Sequence, residues 1–284
     1  MSNRAILLIH CPDQKGLISI ITKFLWDRNA NVVDLDEHAD TELGVFFCRV
    51  EWEAEDGLDQ KRLEEQFQAE IADRYEMIWK VYFTKDKTRM GLFVSKSNHC
   101  LYDILFRAQQ KGWPFELPLI ISNHESNQQI AERFDIPFFA FEVTPENRAE
   151  VEKQQIGLLQ EYQVDFIVLA RYMQILSPSF VKQFPNQIIN IHHSFLPAFP
   201  GARPYHQAYE RGVKIIGATS HYVTEDLDAG PIIEQDVVKI SHKDEVADLV
   251  RKGQDLEKIV LSRAIWAHIH RKVLPYGNKT IIFD

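Results

Sequence analysis

Hydrophobic positions along the chain follow different rules on either side of a charged stretch, Lys85-Asp86-Lys87-Thr88-Arg89. Before it, apolar and polar residues alternate. Val45–Trp52 puts Phe46, Cys48, Val50 and Trp52 on one face and Arg49 and Glu51 on the other, the period of a half-buried strand. Met77, Trp79, Val81 and Phe83 alternate likewise, Ala5–His10 is a short apolar run, and Val32–Ala39 reads as a further strand. Leu17, Ile20, Ile21, Phe24 and Leu25, and later Leu63, Phe67 and Ile71, recur at helical spacing. The resulting order, β-α-β-β-α-β over about 80 residues, is the ferredoxin-like plan.

After the charged stretch the apolar runs become continuous: Gly91–Ser95, Leu117–Ser122, Phe166–Ala170 and Ile188–Ile191. Polar helical segments separate them. One is Pro145–Tyr162, where Thr144 is placed to cap the helix and Pro145 suits its first position. Ile215–Val223 and Ile232–Val238 read as two more strands, Lys243–Val273 as helix and Thr280–Phe283 as a last strand. Continuous apolar strands alternating with helices predict an α/β fold with a doubly wound, mostly parallel sheet. The expected domains are residues 1–85 and 86–284, joined at the charged stretch.

Composition excludes more than it selects. The 284 residues suit two domains, and the net charge of −9 argues against nucleic acid or an anionic membrane as partner. No run of about 18 apolar residues is present and the N-terminal apolar run is too short for a signal-peptide core, so no membrane span is expected. Cys11, Cys48 and Cys100 are far apart with no C-x-x-C pair, which points to a reducing, cytoplasmic setting.

Two stretches carry candidate chemistry. In open parallel sheets ligands bind beyond the carboxyl ends of the strands. There Ile188-Ile189-Asn190-Ile191-His192 breaks its apolar pattern, with Asn190 and His192 on one face by strand alternation. A strand-end cap with a solvent-facing histidine explains the pair equally well. Glu225-Asp226-Leu227-Asp228-Ala229-Gly230-Pro231 lies between two strands and reads as a turn or as the source of a carboxylate. Together an Asn, a His and an Asp can polarise a carbonyl and move protons. Ser194 is not in a G-x-S-x-G elbow. His192 and His193 point to opposite strand faces by alternation, so they cannot share one ion, and neither a metal site nor a cofactor is expected.

Asn190-Ile191-His192-His193-Ser194-Phe195-Leu196-Pro197 and Leu227-Asp228-Ala229-Gly230-Pro231-Ile232-Ile233 resemble the two hallmark motifs of the folate-dependent formyltransferases. Gly201-Ala202-Arg203-Pro204-Tyr205-His206-Gln207-Ala208 and Gly212–His221 are similar to that family too, so the resemblance covers roughly residues 89–284. It implies Asn190, His192 and Asp228 as the catalytic trio. It also implies that Arg171, Met173, Gln174, Ile175 and Leu176, with Glu225 and Leu227, enclose the folate. Packing accounts for Met173 and Leu176 as well, and Arg171 is free to face either the folate carboxylates or solvent.

The N-terminal βαββαβ unit, with Asp13-Gln14-Lys15-Gly16 at its first turn, looks like an ACT regulatory domain. An ACT domain ahead of such a catalytic domain resembles the formyltetrahydrofolate deformylases, the hydrolytic branch. The resemblance implies hydrolysis of 10-formyltetrahydrofolate by water, supplying formate for purine synthesis. It also implies methionine and glycine as effectors near Asp13, Gln14, Gly16 and Leu17, and assembly into a homo-oligomer. Two sequence details fit that branch. Ser95-Lys96-Ser97-Asn98-His99-Cys100 has no glycine where transformylases carry a phosphate-holding Gly loop, and His193 stands where they usually have proline. Formyl transfer to an amine acceptor, and an inert amino-acid sensor, are the alternatives.

Overall fold

The computed structural model describes residues 3–55, 57–197 and 204–284. The chain forms two compact units, one of Met1–Lys87, Arg271–Leu274 and Ile281–Asp284, the other of Thr88–His270 and Pro275–Thr280.

The first unit contains β1 (Arg4–Pro12), α1 (Leu17–Trp26), β2 (Asn31–Asp40), β3 (Val45–Glu53), α2 (Gln60–Phe67, continued by a π-helical turn over Gln68–Ala72) and β4 (Ile78–Phe83). Its strands form an antiparallel sheet in the order β2-β3-β1-β4, the arrangement expected from the alternating pattern. Leu7, Ile9 and Cys11 of β1 and Phe46, Cys48 and Val50 of β3 meet Leu17, Ile21 and Phe24 of α1 and Leu63 and Phe67 of α2 in one core. Burial pushes the Cys48 thiol up to about 12. On the other face of β3, Arg49 is buried and bound by Asp34, Glu51 and the carbonyl of Arg271. The Arg271 guanidinium lies 4.2 Å from the Tyr82 ring centroid, and the Asp284 N–H donates to Asp36. The last residues of the chain thus pack with the first ones, a long-range association that local pattern has no means to reveal.

The second unit runs β5 (Thr88–Val94), α3 (His99–Ala108), β6 (Phe115–Ser122), α4 (Gln128–Arg133), β7 (Phe138–Ala140), α5 (Arg148–Glu161), β8 (Phe166–Ala170), α6 (Pro178–Val181), β9 (Ile188–His192), α7 (Pro204–Arg211), β10 (Ile215–Tyr222), β11 (Ile232–Lys239) and α8 (Val246–Ile269). A hairpin of β12 (Val273–Tyr276) and β13 (Lys279–Ile282) follows. The seven-stranded sheet has the order β11-β10-β9-β8-β5-β6-β7. Strands β7, β6, β5, β8 and β9 are parallel, while β10 runs antiparallel to both β9 and β11. Phe93, Leu119, Ile121, Ile167 and Leu169 pack one face against Leu159 of α5 and Phe180 and Val181 of α6. Phe166, the alternate position on β8, meets His268 of α8 on the other face at 4.6 Å between centroids. The chain leaves β5 in one direction for β6 and β7 and returns to β8 on its other side, so the order reverses between β5 and β8. A ligand crevice is expected outside the carboxyl ends of those strands.

Four local readings change. Helix α5 starts at Arg148 behind an Asn147 cap, not at Pro145. Thr144 and Asn147 instead each accept the other's backbone N–H, closing a turn ahead of the helix. Thr88 and Arg89 belong to β5, where they pair with Phe115 and Glu116, and are not linker. Helix α8 ends at Ile269, and Val273 begins β12. Strand β7, three residues long, offers too short an apolar pattern to be read from sequence. Among the described residues no helix is long and apolar enough to cross a membrane.

Candidate active site

The carboxyl end of β9 carries the first polar cluster. Strand alternation puts Asn190 and His192 on one face, and the antiparallel register of β10 sets His221 directly opposite Asn190. Asp228 arrives from the β10–β11 loop in the left-handed region, at φ 53°. Two residues on, Gly230 lets this loop close against β10. A Cβ there would lie 1.8 Å from the Tyr222 carbonyl oxygen, and the Tyr222 N–H donates to Pro231 at 2.9 Å. Asp228 Oδ2 stands 3.3 Å from His192 Nδ1 and its Oδ1 3.7 Å from His221 Nε2. The His221 Nδ1–H donates to the Tyr222 carbonyl at 2.9 Å, which in the neutral ring leaves Nε2 to accept from Asn190 Nδ2 at 3.2 Å.

The hydrogen bond from His192, with His221 close by, holds the Asp228 carboxyl well below the usual carboxylate range, against the opposing effect of burial. Among the described residues His192 is hydrogen-bonded through Nδ1 only, and its buried Nε2 has no hydrogen-bond partner. The structure therefore brings the predicted trio together and adds His221. The signal for His221 was its place at the end of a strand that pairs in register with Asn190, and pairing is a tertiary fact.

A second polar cluster lies in the same unit, around Glu257 in the middle of α8. Its side chain is 1% exposed and accepts hydrogen bonds from His99 Nε2 and the Tyr205 hydroxyl, each at 2.8 Å, while Arg171 Nε stands 3.5 Å away as an ion-pair contact and has no hydrogen bond among the described residues. Gly253, one helical turn earlier, makes room for Tyr205, because a Cβ there would stand 2.0 Å from its hydroxyl. Burial alone would raise the Glu257 carboxyl, but the His99 hydrogen bond and the Arg171 charge outweigh it and hold it below the ordinary value. Arg171 Nη1 then donates to His193 Nδ1. Burial, with the charges of Arg171 and His192, lowers His193 to about 4. The donor atoms of His99, Cys100 and Glu257 lie within 4.8 Å of one another, yet both Glu257 oxygens are already engaged. The opposite-face expectation for His192 and His193 does not hold. Strand β9 ends at His192, alternation stops there, and the two rings stack with centroids 5.1 Å apart and planes 19° apart.

The segment after β8 divides by role. Arg171 turns inward to Glu257 and His193, and its side chain is 18% exposed. Met173 and Ile175 are exposed, as is Leu227 of the Asp228 loop, and the Met173 N–H donates to Ser95 Oγ at the end of β5, 2.8 Å away. Exposed apolar side chains beside a polar cluster are the walls a flat ring system needs. Leu176 packs into the core, and Gln174, Ile175 and Leu176 line a small pocket with Gln155 and Tyr172. Glu225 is exposed and paired with Lys182 at 3.2 Å. Of the stretch Gly201–Ala208, residues 201–203 lie outside the described residues.

In the first unit Gly16 caps α1 at φ 92°, a conformation that favours glycine. Asp13 and Gln14 are exposed, and the Asp13 N–H donates to the Gly44 carbonyl at 2.8 Å. Leu17 turns into the core, so only its backbone lies at the helix start.

Comparison with known proteins places this geometry among relatives. The family profile described as formyl transferase matches residues 88–265. The chain is 49% identical over 283 residues to the formyltetrahydrofolate deformylase of Synechocystis sp., covering 98% of each chain. The crystal structure of a formyltetrahydrofolate deformylase from Pseudomonas syringae pv. tomato superposes with a TM-score of 0.96 at 42% identity, covering 100% of this chain and 95% of that one. Glycinamide ribonucleotide transformylase 1 from Symbiobacterium toebii superposes with a TM-score of 0.66 at 33% identity, over 72% of this chain and 97% of that one.

Proposed function

The chain belongs to the formyltetrahydrofolate deformylase family, and we propose that it hydrolyses 10-formyltetrahydrofolate to formate and tetrahydrofolate. The observation that carries the residue assignment is the meeting of Asn190, His192 and Asp228 at the carboxyl edge of β9 and the β10–β11 loop. Water attacks the formyl carbon, and its proton passes to the His192–Asp228 pair. The carbonyl oxygen becomes an oxyanion, for which Asn190 and His192 are the available donors. As the oxyanion collapses to formate, the C–N bond breaks and the folate nitrogen leaves with the transferred proton. Met173, Ile175 and Leu227 supply apolar surface for the folate rings. The acceptor in this reading is water, and no cofactor takes part.

The N-terminal unit, with its β2-β3-β1-β4 order and its Gly16 helix start, fits an ACT regulatory domain binding methionine or glycine where chains pair as a homo-oligomer. The three buried, unpaired cysteines fit a reducing cytoplasm. Purified protein with 10-formyltetrahydrofolate and no amine acceptor is expected to release formate and tetrahydrofolate steadily. Asn190→Ala, His192→Ala and Asp228→Asn are each expected to cut turnover by at least ~10² with a smaller change in substrate binding. Release only after an amine is added would instead identify a transferase, and no reaction with or without methionine would identify a sensor.

A further inference from the structure

We propose that His193 is a positioning residue that fixes the His192 ring for the hydrolysis, and that Arg171 and Glu257 hold it in that role; the proposal rests on the reaction assigned above. Among the described residues the only hydrogen bond the His192 ring makes is from Nδ1 to Asp228, at 3.3 Å. Rotation about the Cβ–Cγ bond of a histidine has a broad profile, so a single long contact leaves the ring free to swing. The near-parallel His193 ring, 5.1 Å away, supplies the second restraint, a flat wall along the face of His192.

A wall of this kind has to stay put and stay uncharged, because a second imidazolium beside His192 would repel it. The Arg171 Nη1–H donor at His193 Nδ1 meets both needs. It pins one ring nitrogen as an acceptor, so the proton resides on Nε2 and the ring is neutral. The charged groups facing His193 are Arg171 and His192, which oppose its protonation, and Glu257 and Asp228, which favour it, and the first pair prevails. Arg171 is in turn balanced by Glu257, whose position in α8 is fixed by His99 and Tyr205. A rigid helix thus reaches the catalytic ring through three side chains, and only the last of them stands next to it.

The test uses the full chain. His193→Ala is expected to lower kcat roughly 10- to 100-fold in the acceptor-free assay, with KM within about twofold of the unmodified chain. His193→Asn keeps an acceptor near the position of Nδ1 but removes the flat ring. It is expected to melt at the temperature of the unmodified chain while kcat stays as low as in His193→Ala. Imidazole ¹⁵N spectra of histidine-labelled protein read the rings without turnover. His193 is expected as the Nε2–H form from pH 6 to 8, and the His192 signals are expected to move in both variants. A His193→Ala kcat within twofold of the unmodified chain, a His193→Asn kcat restored together with its melting temperature, or His192 signals unmoved by either variant would overturn the proposal. If the unmodified chain releases no formate while the His192 signals still move, the hydrolytic reading fails and the coupling of the two rings stands.

Discussion

Two carboxylates in the second unit, Asp228 and Glu257, are each held ionised by histidine, but they are built in opposite ways. Asp228 sits on a loop, on a residue with positive φ, with a side chain 23% exposed and contacts of 3.3 and 3.7 Å. Glu257 sits in mid-helix, 1% exposed, with two contacts at 2.8 Å. Among the described residues, the histidine facing Asp228 keeps a buried ring nitrogen unpartnered, whereas both oxygens of Glu257 are engaged. The loosely held carboxylate has room for proton transfer, and the tightly held one has none. The contrast separates a group placed for chemistry from a group placed for support.

The largest effect that would break this contrast is on Glu257. Glu257→Ala leaves Arg171 buried with its charge uncompensated and is expected to cost about 3–5 kcal/mol, read as the shift in urea unfolding free energy. Asp228→Asn is expected to cost less of that free energy than Glu257→Ala while lowering kcat by ~10²–10³, about 2.7–4 kcal/mol in the barrier. If Asp228→Asn unfolds the protein or Glu257→Ala merely slows it, the assignment of roles is reversed.

Acid sharpens the comparison further. His193 titrates near 4 in the folded chain, below the ~6.5 of an unfolded histidine, so between these values the unfolded state binds the extra proton. Its contribution to stability is therefore nil above about pH 6.5 and increasingly unfavourable as pH falls toward 4, about 2 kcal/mol at pH 5. Asp228, with its lowered carboxyl, stabilises the fold at neutral pH and loses that contribution only in stronger acid, below the ordinary aspartate range near 4. Unfolding free energies followed from pH 7 to 5 are expected to fall less steeply in His193→Asn than in the unmodified chain. The smallest effect belongs to the Lys182–Glu225 pair, whose side chains are 65% and 50% exposed. Lys182→Ala is expected to change stability by less than about 0.5 kcal/mol, so a larger loss would show that this part of the loop supports Asp228.

Much of this was legible along the chain. Alternation in Val45–Trp52 and continuous apolar runs such as Phe166–Ala170 set strand type, because burial on one face or on both imposes those periods. Asn190 and His192 stood out as polar residues at the end of an apolar strand, and Asp228 as part of a turn-forming stretch. The start of α5 has no local marker, because Thr144 and Asn147 satisfy each other's N–H groups and a side chain's partner is not written in its own position. The inward turn of Arg171 to Glu257, 86 positions later in the chain, has no local signature.

The sequence by itself determined the two plans of strand and helix, and its resemblance to the folate-dependent formyltransferases singled out the three residues proposed for catalysis, because periodicity and local motif are short-range properties. Only the tertiary structure decided that His221 faces Asn190, that the C-terminal residues complete the first unit, and that Glu257 reaches His192 through Arg171 and His193. Each of these depends on burying charged or polar groups against partners far away in the chain. In a low-dielectric interior such groups are stable only when a partner is present, so the fold selects the pairing, and no single segment contains it.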